Sequence, residues 1–158
     1  MKQGPALISI ICLCSFLSAC SKSDGNAPAT SLSSFHFTAG DTLIIYTVNI
    51  ASIENVYNTR TTLITGQYQD TTKQKGSLSI RVLSDTTGRY TGSSLLVTYV
   101  NPAGISYYNT TDSSNYVEID KYEKKYNGEV SGHFSMKVSN GTSGIQFTNG
   151  AFTALFQE

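Results

Sequence analysis

The chain has 158 residues with eleven basic and eleven acidic side chains, so its formal net charge is zero. Only 14% of it is charged, which leaves no electrostatic footprint for nucleic acid or for a strongly charged substrate. All three cysteines, Cys12, Cys14 and Cys20, lie in the first twenty residues, so the remainder holds neither a disulfide nor a thiolate metal ligand.

The N-terminus reads in three zones: Lys2, an apolar stretch over 6–17 broken only by Ser9 and Ser15, and the tail Leu17-Ser18-Ala19-Cys20. This is the order of charge, apolar segment and small-residue cleavage site found in secretory signals. About a dozen apolar residues are too few to cross a hydrocarbon core of roughly 30 Å as a helix. Leu-Ser-Ala-Cys resembles the lipobox of bacterial lipoproteins. The resemblance implies cleavage between Ala19 and Cys20, with diacylglycerol on the Cys20 thiol and an acyl chain on the new amine. Residues 1–19 are then a signal peptide that carries Cys12 and Cys14 away. The chain is expected to be anchored to a membrane by its N-terminal lipid, not to span it.

Loss of Lys2 leaves ten basic against eleven acidic side chains. A chain of this length buries about two thirds of its unfolded surface, enough for one self-sufficient domain. Residues 20–33 form the lipidated Cys and a tether, SKSDGNAPATSLS after the cysteine, with almost nothing to bury. Lys22 and Asp24 are the only charges there, a faint version of the charged run that accompanies surface export in Bacteroidota lipoproteins. The absence of Asp at Ser21 resembles lipoproteins sent onward to an outer membrane, which is the expected location.

From Phe35 onward the apolar residues recur with a period of two. Runs fall at 42–50, 61–68, 77–83, 95–100, 105–109, 116–122, 145–148 and 151–156, rich in β-branched residues and Tyr. The clearest is Val130, Gly132, Phe134, Met136 and Val138 against Glu129, Ser131, His133, Ser135 and Lys137, a strand with one buried and one wet face. A short helical turn is expected near 52–57. Turn chemistry separates the runs at Asp85-Thr-Thr-Gly88, Asn101-Pro-Ala-Gly104, Asn127-Gly128, Asn140-Gly141 and Asn149-Gly150. Residues 34–158 are therefore expected to form an all-β domain, a single antiparallel β-sandwich of about eight to ten short strands, with a lipocalin-like β-barrel as the alternative.

Ile64-Thr-Gly66, Leu78-Ser-Ile80, Gly88-Arg-Tyr90, Val117-Glu-Ile119, Val130-Ser-Gly-His-Phe134 and Phe147-Thr-Asn-Gly-Ala-Phe152 resemble a family of small uncharacterised lipoproteins of Bacteroidota. The likeness covers about two thirds of the mature chain. Residues 35–58 depart from it: the Gly-Lys-x-Trp turn such proteins often carry is missing, and the chain has no Trp. Glycines and alternating apolar residues report turns and strand edges, so the resemblance implies fold and anchoring and transfers no catalytic residue.

Chemistry-bearing patterns are sparse. His36 and His133 are the only histidines, with no His-x-His or Cys pair to complete a zinc site, so no metal or cofactor is expected. If Asn127-Gly128 is a two-residue turn, Glu118 faces Lys137; a longer loop brings Glu118 or Asp120 opposite His133, and either register makes a cross-strand charge pair. Glu118 and Asp120 share a side of their strand and have the geometry of a glycosidase acid pair, but a solvated β face is the plainer account. No Gly-x-Ser-x-Gly elbow and no phosphate-binding glycine loop occurs. Lys121, Lys124 and Lys125 read as a soluble edge that discourages pairing with other sheets.

Tyrosine is the one oddity, at ten residues. Tyr107 and Tyr108 are adjacent, so one faces outward. Tyr108, Tyr116, Tyr122 and Tyr126 are the candidate ligand contacts, because exposed rings suit sugar or protein surfaces. The expectation is a non-enzymatic, lipid-anchored envelope module that binds a protein or a glycan. A structural accessory subunit of an envelope complex comes second, a glycan hydrolase using Glu118 or Asp120 third. A closed barrel would point to a lipidic ligand.

Overall fold

Alternation along 129–139 is complete: Val130, Gly132, Phe134, Met136 and Val138 are buried, and the residues between them are not. The computed structural model describes residues 34–56, 58–68 and 76–157. The expected signal peptide, Cys20 and the expected tether lie outside the described residues, as does Tyr57.

Eleven strands follow one another: β1 (Ser34–Ala39), β2 (Thr42–Tyr46), β3 (Val48–Val56), β4 (Thr59–Gln67), β5 (Ser77–Val82), β6 (Gly88–Thr91), β7 (Leu95–Val100), β8 (Ser106–Asn109), β9 (Tyr116–Tyr122), β10 (Glu129–Ser139) and β11 (Gly144–Phe156). Among the described residues a single 3-10 turn, Gly92–Ser94, precedes β7. Among the described residues no helix is long and apolar enough to cross a membrane.

The all-β class is as expected, and all strands join one sheet. Every pairing is antiparallel except a short parallel joint of β11 with β3. The ladder runs β11–β3–β4–β5–β7–β8–β10 and returns to β11, so seven strands close into a ring. The expected sandwich's face-to-face packing is present between ring strands and the strands attached to them: Phe37 of β1 meets Tyr99 of β7, and Thr62 of β4 hydrogen-bonds Tyr122 of β9. The closed ladder itself is the barrel's. Closure is made possible by two long strands that each divide one edge between two partners. β10 pairs with β9 over 130–135 and with β8 over 138–139. β11 pairs with β1 over 147–153 and with β3 over 155–156.

Between its two partners β10 would leave the backbone of Lys137 unpaired. Asn115 fills the gap: its Oδ1 accepts from Lys137 N at 2.7 Å, and its Nδ2 donates to Thr110 O at 2.9 Å. Thr110 N donates to Lys137 O at 3.1 Å. A buried side-chain amide thus continues the ladder where no strand can.

Three local expectations change. Residues 52–56 are strand, not a helical turn, because Val48–Val56 pairs residue for residue with Thr59–Gln67 and that ladder outweighs local preference. Asn149-Gly150 is a bulge inside β11, not a turn. Asn149 takes φ 52°, and the register slips between Phe134 and Met136 on one side and His36 and Thr38 on the other. The Asp85–Gly88 turn leads into a strand the alternation did not signal, β6, which pairs with β9.

The core is phenylalanine-rich. Phe35, Phe37, Phe134, Phe147, Phe152 and Phe156 are all fully buried, with Phe37 and Phe147 ring centres 4.6 Å apart. One end of the ring is tied shut around Tyr122, whose ring meets Phe156 at 5.1 Å and whose hydroxyl lies 2.8 Å from Thr62 Oγ1. Gly128 and Asn127 add backbone bonds to Phe156 there. The other end is different.

Candidate functional site

Strand ends converge at that second end: the close of β1 and opening of β2, the residue after β4, the one before β5, the close of β7 and the start of β11. They surround a cavity of about 500 Å³. Such a volume suits a small molecule. Tyr46, Tyr68 and Tyr99 supply aromatic surface, Ile44, Pro102 and Ile145 aliphatic surface, and Thr42, Asn101 and Gln146 polar groups. Leu43, 60% exposed, also lines it. None of the lining residues is charged.

The phenols are the most informative part. Tyr46 is 2% exposed, and its hydroxyl is shut off from water with no hydrogen-bond partner. Burial, with the neighbouring Tyr99 and Tyr68 phenols, pushes its pKa far above the usual tyrosine range. Burial also raises Tyr68 and Tyr99. All three therefore remain O–H donors at neutral pH. An unpaired buried hydroxyl costs about 1–3 kcal/mol. Asn49, on β3, carries a second unpartnered pair, its side-chain oxygen and nitrogen. Its register partner is Gly66, the residue against which the Tyr46 ring packs. Two residues with unpartnered buried polar groups thus neighbour Gly66.

The polar outer face offers a different arrangement. The loop before β10 is longer than two residues, so Glu118 stands opposite His133 in the ladder. His133 Nε2 is 3.4 Å from Glu118 Oε2, and Nδ1 is 3.1 Å from Asp120 Oδ2. Arg89 Nη1 approaches the same Glu118 oxygen at 3.2 Å, while its guanidinium carbon stands 3.7 Å from the centre of the Tyr116 ring. Direct pairing places Arg89, Glu118, His133, Ala151 and His36 in one row across five strands. Glu118 is engaged by Arg89 and His133 and Asp120 by His133, all at a solvated surface, where such contacts contribute roughly 0–1 kcal/mol each. Among the described residues no group of His, Cys, Asp and Glu could hold a metal ion.

The four candidate tyrosines separate. Tyr108 and Tyr126 are exposed, as the alternation implies, and Tyr107 is the buried member of its pair. Tyr116 is half-buried beneath Arg89. Tyr122 departs from its expected outward placement. The ladder slips between Ser131 and Gly132, leaving Asp120 as an extra residue, so the face reverses and Tyr122 comes opposite buried Val130. No ring contact joins these four to one another among the described residues. Lys121, Lys124 and Lys125 are matched by acids: Lys121 by Glu123 and Glu129, each at 3.2 Å, Lys124 by Asp85, and Lys125 by Glu123. The Lys124 ammonium bonded to Asp85 holds that carboxyl below the usual range.

The cavity residues were not singled out by sequence pattern, because the ends of six separate strands supply them. One signal does point there: Tyr46, Tyr68 and Tyr99 each sit at or next to the end of a strand or apolar run. Comparison with protein-family models, curated proteins and solved structures returns no match to this chain.

Proposed function

We propose that the protein is a lipid-anchored binding module of the bacterial envelope, held in the outer membrane through Cys20, whose barrel takes a small uncharged ligand at its open end. The observation that carries this reading is the uncharged cavity of about 500 Å³ ringed by Tyr46, Tyr68 and Tyr99. It moves the favoured occupant from the protein or glycan expected from sequence to a more apolar small molecule. A glycan site would present several free polar groups. Here the Asn101 side-chain oxygen already accepts from Ala103 N and Ile105 N at 3.0 and 2.9 Å, and Gln146 Nε2 donates to Phe147 O at 3.1 Å. Binding is favoured over glycan hydrolysis because Glu118 and Asp120 are engaged with His133 and Arg89 on an exposed face, away from the residues that line the cavity.

Two measurements test the reading. Mass spectrometry of the mature N-terminal peptide should find Cys20 diacylglycerylated; an unmodified cysteine would overturn the anchor. Equilibrium dialysis of the neutral probe 2-acetylnaphthalene against phospholipid vesicles, with and without the lipidated protein, should show saturable uptake due to the protein. Uptake should be lost in Ile145→Trp, which fills the cavity. Uptake equal to that of bare vesicles would overturn the binding site.

A further inference from the structure

Resting on that reading, we infer that Tyr46 is the residue that selects the ligand: its hydroxyl donates a hydrogen bond to a single accepting oxygen, a carbonyl, at the inner end of an otherwise apolar, uncharged molecule. Three observations lead there. First, the Tyr46 hydroxyl is the one group lining the cavity that is both sealed from water and without a partner among the described residues. A buried donor left unpaired in the empty protein is stabilised by whatever brings an acceptor to it, and a site with such a donor discriminates against analogues that lack the acceptor.

Second, the surroundings set what the rest of the ligand is. Tyr46 packs edge-on against Tyr68 at 5.1 Å and Phe35 at 5.6 Å, so its ring sits in an aromatic surround. The hydroxyl is sealed, so binding requires a neighbouring ring to move aside; half-buried Tyr68 is one ring that packs edge-on against Tyr46. Aliphatic Ile44 and Ile145 complete an apolar passage. Third, charge is absent from the lining. A carboxylate or phosphate brought among uncharged groups would lose its hydration with no cation to replace it, which excludes fatty acids in their ionised form, nucleotides and sugar phosphates. An ammonium-bearing ligand is excluded for the same reason. Esters, ketones, quinones and fatty amides fit the remaining description.

The test compares two probes of nearly equal shape, 2-acetylnaphthalene and 2-ethylnaphthalene, which differ by the carbonyl oxygen. The full lipidated protein in phospholipid vesicles is dialysed against each, with bare vesicles subtracted. Wild type should bind the ketone about tenfold more tightly than the hydrocarbon, once partitioning is normalised. Tyr46→Phe should bring the two affinities together. Tyr99→Phe, the companion variant, should preserve the preference. If both probes bind wild type but Tyr46→Phe keeps the ketone preference, the role of Tyr46 is overturned and the binding site stands. If neither probe binds, the functional reading itself fails.

Discussion

The ring of Tyr46 occupies the space that a side chain at Gly66 would fill: a Cβ there would stand 2.5 Å from Tyr46 Cδ2 and 2.8 Å from Phe35 Cδ2. Position 66 therefore has to be glycine for a reason of packing, since its backbone is ordinary strand paired on both sides. Gly66→Ala should destabilise the fold by about 1–3 kcal/mol through overpacking. It should also reduce probe uptake, because the displaced ring lines the cavity. Urea unfolding with an unchanged slope would measure the first effect, and dialysis the second.

Tyr46 and Tyr122 make a controlled pair for hydroxyl removal. Tyr122 donates to Thr62 Oγ1 at 2.8 Å, because the single Thr62 hydroxyl proton is already given to Ser84 O at 2.7 Å. Tyr122→Phe breaks that chain and should cost about 0.5–1.5 kcal/mol. Tyr46→Phe removes a hydroxyl that has no partner, so in the absence of ligand it should leave stability unchanged or raise it by up to about 1 kcal/mol. Equal losses in both variants would mean that the Tyr46 hydroxyl is bonded after all.

Acid sensitivity should report the Asp85–Lys124 contact. The hydrogen bond from Lys124 lowers the Asp85 pKa, with Arg60 adding to the effect. A carboxyl whose folded pKa lies below its unfolded one stabilises the fold above the unfolded value, and that contribution disappears as pH falls through the folded value. The stability difference between wild type and Lys124→Ala should accordingly be complete above about pH 5. It should shrink below about pH 4 and vanish once Asp85 is protonated in both states. A constant difference down to strong acid would assign the effect of Lys124 to packing instead.

Asn115 should prove more important than its place in a loop suggests. Asn115→Ala strips Lys137 N of its acceptor and opens the joint where β8 and β9 meet β10. A loss of about 1–3 kcal/mol is expected for the orphaned buried groups. Hydrogen exchange at the Lys137 amide should accelerate more than at Phe134, which is paired in the continuous part of the ladder. Uniform acceleration along β10 would show that the joint has no local weakness.

What alternation can reveal, it revealed well here. Period two follows from strand geometry alone, so most strand runs and the buried row from Val130 to Val138 were legible residue by residue, as was the outward turn of one of Tyr107 and Tyr108. Asn-Gly was legible only as a demand for positive φ. At Asn140-Gly141 it became a hairpin turn with Gly141 at φ 88°, and at Asn149-Gly150 a bulge with Asn149 at φ 52°. The dipeptide is the same; what differs is whether partners on both sides hold the strand straight through it, as β1 and β10 do for β11.

The sequence by itself determined the all-β class and the buried face of the strand from Val130 to Val138, because both depend on neighbours two residues apart. Tertiary structure decided the rest. Closure of the ring depended on β10 and β11 each dividing an edge between two partners. The inward turn of Tyr122 depended on a single extra residue, Asp120, that only the register against β10 defines. The cavity depended on strand ends far apart in the chain, and the unmet hydroxyl of Tyr46 on what those ends failed to place beside it. Local periodicity carries no information about such distant meetings; packing across the sheet creates them.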